Sequence, residues 1–127
     1  MLIISDQISL DSALAQPIHS DLKRLLWKRV CQLGSYGFNL AHFILVQPGD
    51  TLDAVTEALG FSPLRNFVDG AVWPDPDFTP SFEFVEDHRC AYEVVFVLSD
   101  DGFGHVLLIE AAEGQDPQLM KLCAQYA

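Results

Sequence analysis

Cys90-Ala91-Tyr92-Glu93-Val94-Val95-Phe96-Val97-Leu98, then Ser99-Asp100-Asp101-Gly102-Phe103-Gly104, then His105-Val106-Leu107-Leu108-Ile109-Glu110 is the run that decides the fold. Both arms are rich in β-branched and aromatic residues and the gap between them holds Asp-Gly, so the spacing predicts a β-hairpin. From Val94 to Leu98, and again from Val106 to Ile109, successive side chains are all apolar. A strand with one face in water alternates, whereas these arms carry apolar groups on both faces. Both faces of the ribbon are therefore expected to be covered, by helices, by other parts of the chain or by a partner subunit.

Working outward, Phe82-Glu83-Phe84-Val85-Glu86 alternates and predicts an edge strand beside the hairpin. Met1-Leu2-Ile3-Ile4 predicts a buried first strand; no basic residue precedes it and Ser5-Asp6 follows, so it does not read as a secretory signal. A short helix is expected over residues 9–16, capped by Ser9 and stopped by Pro17. Leu22, Leu25, Leu26, Val30 and Leu33 recur at i, i+3, i+4, i+8 and i+11, one stripe of a helix closed by Gly34, with Trp27 half-buried beside it. Residues 38–46 predict a second strand. Gln47-Pro48-Gly49 turns it into a helix over 51–59 capped by Asp50, with Leu52, Val55 and Leu59 inward and Gly60 closing it. Ser62-Pro63 opens one further helical turn. The last helix has Asp116 as its cap, Pro117 at its first position, and Leu119, Leu122, Cys123 and Tyr126 as its packed stripe. The expectation is one α+β domain over residues 1–127, a mostly antiparallel sheet of four to five strands with about three helices packed against it.

Composition narrows the function classes. Half the residues are hydrophobic, and a chain of 127 residues buries about two-thirds of the surface its unfolded form exposes, so a packed core is expected. No apolar run approaches the ~20 residues of a membrane span. Cys31, Cys90 and Cys123 are odd in number and form no C-x-x-C pair, which suits reduced thiols packed as small hydrophobes in a cytoplasmic protein. Eighteen acidic residues against seven basic ones argue against nucleic-acid or anionic-membrane binding. The charge is also segregated. Lys23, Arg24, Lys28 and Arg29 face Asp21 alone in the second helix and lie mostly away from its apolar stripe, while the rest of the chain carries three basic against seventeen acidic residues. Such a helix forms ordinary weak surface pairs, or docks an acidic partner or a second copy.

Two resemblances follow from short motifs. Val46-Gln47-Pro48-Gly49-Asp50-Thr51-Leu52, with Val55-Thr56 and Gly60, resembles the opening half of a LysM domain. LysM domains bind N-acetylglucosamine polymers such as peptidoglycan and chitin, so the resemblance implies a glycan groove at Gly49, Asp50 and Thr51. The residues alone read more simply, as a Pro-Gly turn, a capping aspartate and two packed apolar side chains. Asp75-Pro76-Asp77-Phe78-Thr79-Pro80-Ser81 and Ser99-Asp100-Asp101-Gly102-Phe103-Gly104 give the whole chain a likeness to small acidic bacterial proteins of plasmids and integrated elements. That likeness carries no activity with it.

Catalytic and metal chemistry find little footing. His88-x-Cys90 beside Glu86 and Asp87 offers four ligands in a short span, yet no second pair has zinc spacing, and the Asp-rich turns lack EF-hand spacing. His42 and His105 lie in apolar strands, as core or rim histidines. Ser99, Asp100 and His105 are neighbours without a G-x-S-x-G elbow. Glu83 and Glu93 are candidates for a cross-strand carboxylate pair. The reading is thus no catalytic residue, no metal and no cofactor. Residues 67–81 have no period and hold the recognition chemistry: Phe67, Trp73 and Phe78 as anchors, with Asp75 and Asp77 steering a basic protein partner. Self-association is also expected, because the two-sided apolar strands need more cover than three helices of this length supply and a two-fold homodimer is the commonest solution. The alternative is a small enzyme whose cleft lies under the same loop, with His88, Cys90, Glu86 or Asp101 as working groups.

Overall fold

The computed structural model of the chain describes residues 1–59, 80–98 and 103–126. Five strands form one mixed sheet: β1 (Leu2–Ile4), β2 (Ala41–Val46), β3 (Pro80–Asp87), β4 (Ala91–Leu98) and β5 (Gly104–Glu110). Their spatial order is β1-β2-β5-β4-β3. The two apolar arms pair antiparallel as β4 and β5, with Val94 opposite Leu107 and Val95 opposite Val106. β3 takes the outer edge against β4, its register shifting between Phe82 and Phe84. One pairing departs from the antiparallel pattern: β2 lies parallel to β5, from Ala41 opposite Gly104 to Val46 opposite Ile109. At the start of that pair the backbones approach closely. A Cβ on Gly104 would come within 3.2 Å of the Ala41 Cβ, so glycine is the residue that fits.

The helices are α1 (Gln7–Leu14), α2 (Ser20–Gln32), α3 (Leu52–Leu59) and α4 (Pro117–Tyr126), with a 3-10 segment over Gly34–Asn39. They cover both faces of the sheet. Leu10, Ala13, Leu22 and Leu26 of α1 and α2 pack on Phe43, Leu45, Val106 and Leu108. Leu52, Val55, Leu119 and Cys123 of α3 and α4 pack on Ile44, Val46, Leu107 and Ile109 of the opposite face. The parity of β2 and β5 assigns each side chain to its layer, and Val94, Val106, Leu107, Leu108 and Ile109 are buried as their pattern requires, with Val95 half-buried.

Local details correct the sequence reading. α1 starts earlier than Ser9, because Asp6 accepts the Ser9 N–H at 2.7 Å while the Ser9 hydroxyl oxygen accepts the Asp6 N–H at 3.0 Å; Asp6 is the cap and Ser9 its reciprocal partner. β2 begins at Ala41 rather than residue 38, since Gly37 at φ 56° turns the chain inside the 3-10 segment. Thr51 caps α3 by accepting the Ala54 N–H at 3.1 Å. Asp50 instead closes the preceding turn through the Gln47 N–H at 2.9 Å and pairs with the Met1 ammonium at 2.8 Å. Asp116 caps α4 as expected, accepting the Gln118 N–H at 2.9 Å, and its other oxygen takes the Leu52 N–H of α3 at 2.8 Å. Cys123 is buried but Cys31 is exposed, so that thiol does not pack as a hydrophobe. His42 and His105 are rim residues flanking the Phe103 ring at 4.7 and 5.3 Å.

Candidate functional site

Arg29 lies three residues beyond Leu26 and seven beyond Leu22, which places it on the inward stripe of α2 rather than on the solvent face. Glu93 shares the parity of Ala91 and Val95, so it points from β4 to the same helix. The two meet. Arg29 Nε donates to Glu93 Oε2 at 2.7 Å and Nη2 donates to Oε1 at 2.8 Å, a forked pair. Glu93 is only 1 % exposed. His88, in the β3–β4 turn, brings Nε2 to 2.9 Å from the same Oε1. Glu86, the cross-strand partner of Glu93, sets its Oε2 3.6 Å from His88 Nε2 and 3.8 Å from Arg29 Nη2. Arg29 Nη1 donates to Gln32 Oε1 at 3.1 Å.

The electrostatics of this lattice follow from its contacts. Burial alone would raise the Glu93 carboxyl, but the hydrogen bonds and charges of Arg29 and His88 outweigh it and hold Glu93 below the ordinary glutamate range. The Glu93 bond likewise raises Arg29. Glu86, His88 and Glu93 are ligand types a divalent metal accepts, and their ligating atoms lie within 4.8 Å of one another. Arg29 Nη2 already sits against both carboxylates, however, and supplies the positive charge a metal would bring. A carboxylate with both oxygens engaged makes a poor general base. Burial also pushes the Cys90 thiol up, away from the thiolate a nucleophile needs.

Outside this lattice the seam between α2 and the β3–β4 turn opens into two adjoining grooves. One, of about 320 Å³, lies between Asp21, Arg24, Leu25 and Lys28 on the helix and His88, Arg89 and Cys90 on the turn. The other, of about 280 Å³, shares Asp21, Arg89 and Cys90 and continues to His19, Glu110 and Ala111. Arg89 sits at φ 67°, a left-handed conformation uncommon for arginine, and its N–H is held by Asp87 Oδ1 at 2.8 Å. A third hollow of about 290 Å³ lies on the other side of the Arg29–Glu93 pair, walled by Leu33, Phe43, Val95 and Val106.

Comparison with protein-family models, with curated proteins and with solved structures finds no match for this chain. The geometry must speak for itself.

Of the residues singled out in the sequence, Glu86 and His88 converge, with Glu93 and not with Cys90, which lines the grooves instead. In the register Glu93 stands opposite Glu86, not opposite Glu83, the other candidate named for a cross-strand carboxylate pair. Gly49, Asp50 and Thr51 belong to the β2–α3 turn, where their polar groups are engaged within the protein: the Gly49 N–H with the Gly114 carbonyl at 3.3 Å, and the two side chains as described above. Phe67, Trp73, Asp75, Asp77, Phe78 and Asp101 lie outside the described residues. Arg29 and Arg89 were not foreseen as site residues. The available signal for Arg29 was one arginine on an apolar helical stripe together with one glutamate in an apolar strand; buried ionic groups need partners, so each announces the other.

Proposed function

We propose that this chain is a non-catalytic protein-interaction module working in the cytoplasm, with residues 67–81 and the α2 seam as its two recognition elements. The observation that supports it is the division of charged groups in the seam. Those facing inward, Arg29, Glu93 and His88, are spent on one another. Of those facing outward, Asp21 and Arg24 pair at 3.3 Å, whereas Lys28 and Arg89 have no ion pair among the described residues, in a chain with eighteen carboxylates. No helix among the described residues is long and apolar enough to cross a membrane. The acidic body steers a basic protein toward the module; Trp73 and Phe78 anchor it.

Reconstitution tests this. A protein captured on the immobilised chain is identified, purified and titrated against it. The expected result is a one-to-one complex weakened at least tenfold by Trp73→Ala or Phe78→Ala, with an unchanged melting curve. Variants that unfold would make those aromatics core and sink the anchor role. Turnover of a hydrolase substrate panel that vanishes in His88→Ala would establish the enzyme reading instead, and retention on insoluble peptidoglycan or chitin would establish the glycan reading.

A further inference from the structure

We infer that the groove between α2 and the β3–β4 turn receives a phosphate monoester carried on a side chain of a protein partner. This rests on the interaction-module reading and names the group recognised. Arg24 and Lys28 stand one turn apart on α2, and Arg89 meets them from the turn across a hollow of about 320 Å³. Arg24 is shared with Asp21 at 3.3 Å, whereas Lys28 and Arg89 lack any ion pair among the described residues. Two unmatched cations correspond to the charge of a phosphate dianion, and a guanidinium fork can take two of its oxygens at once. The carboxylates nearby are Asp21, already held by Arg24 and lying 3.8 Å from His19, Asp87, which takes the Arg89 N–H, Glu86, 3.6 Å from His88, and Glu110 in the adjoining groove. Burial keeps the Cys90 thiol protonated, so the floor adds no negative charge.

The shape argues for a side chain on a polypeptide. A small metabolite is usually enclosed, whereas these two grooves run into each other and lie open to solvent beside exposed Arg24 and Asp21. Leu25 and Ala111 offer apolar wall to residues flanking the phosphate. The chain, at net −11, repels any polyanion beyond its first charges, which argues against nucleic acid and favours one phosphate set among basic residues. Arg89 strengthens the case. Glycine would occupy φ 67° without strain, yet arginine stands there and delivers a cation to the groove.

The test uses the full chain and three probes: the peptide Ala-Lys-Ala-phosphoserine-Ala-Lys-Ala, its serine twin, and inorganic phosphate, followed by backbone amide shifts. The phosphopeptide is expected to move Leu25, Lys28, Arg89 and Cys90, and to bind at least tenfold tighter than either other probe. Lys28→Glu and Arg89→Gly should each weaken it at least tenfold, with the melting temperature of Arg89→Gly no lower than that of the unaltered chain. Equal binding of the serine twin, shifts scattered away from the seam, or unchanged affinity in both variants would overturn the inference. Inorganic phosphate binding as tightly as the phosphopeptide would overturn the protein source. A reconstituted partner that binds without phosphate, insensitive to Lys28→Glu, would sink this inference and leave the module reading standing.

Discussion

At Glu93 a full negative charge sits on a strand that is otherwise apolar, and it is tolerated because Arg29 and His88 take both of its oxygens. Removing one member leaves the other buried without its partner. Arg29→Met should therefore cost about 3 kcal/mol in a urea unfolding curve, and Arg29→Met with Glu93→Leu should recover most of that loss, since an apolar pair of similar volume avoids the desolvation. The acid limb of stability has a defined sign. Folded Glu93 takes its proton at lower pH than it does in the unfolded chain, whose value is near 4.5. Stability from this group is complete above that pH and is lost as pH falls through the lower folded value, whereas the Glu93→Leu, Arg29→Met chain should lose that part of the slope. The thiols divide by burial. Cys31 is exposed, while burial pushes Cys123 up to about 12. A thiol-specific reagent at neutral pH should label Cys31 in the native protein and Cys123 only at the rate of global unfolding.

Among the elements, α3 and α4 share one aspartate. Asp116 takes an N–H from each helix start, so Asp116→Ala unties both and should cost about 1–2 kcal/mol by denaturant titration, whereas Asp116→Asn should cost less. The elements themselves were largely legible. The stripe of α2, the Asp-Pro opening of α4 and the two-faced apolar arms each follow from a period or a cap that local physics dictates. Caps were less legible. Asp6 and Ser9, or Asp50 and Thr51, are chemically interchangeable acceptors until backbone geometry selects one. The seam was less legible still. That Arg29 belongs to the inward stripe is written in its spacing, but that Glu93 and His88 meet it depends on α2 crossing β4, a contact between residues 64 positions apart. Arg89 carries no signal of its left-handed backbone in its identity, since arginine rarely adopts it.

For the whole molecule, the layered arrangement predicts a gradient of protection. Amides of β5 and of the described β4 residues around Val94, paired on both sides and covered on both faces, should exchange slowest, and those of the short outer strand β1 fastest among the strands. Rapid exchange through Val94 and Val95 would contradict the covered ribbon on which the architecture depends. Leu107→Ala, at the crossing of β5 with the α3 and α4 layer, should cost about 2–5 kcal/mol. The charge asymmetry is likewise a property of the whole: seven basic residues, four of them on one helix, leave three against seventeen acidic residues on the remainder.

The parallel join of β2 to β5 also bears on how the chain is made. Ala41–Val46 can find no neighbour on its inner side until Gly104–Glu110 has been synthesised, about sixty residues later. A nascent chain emerging from the ribosome must therefore hold β1, α1, α2 and β2 as an unfinished half-sheet, with Phe43 and Leu45 awaiting the strand that seals them. Cotranslational folding should stall at that stage until Gly104–Glu110 has emerged.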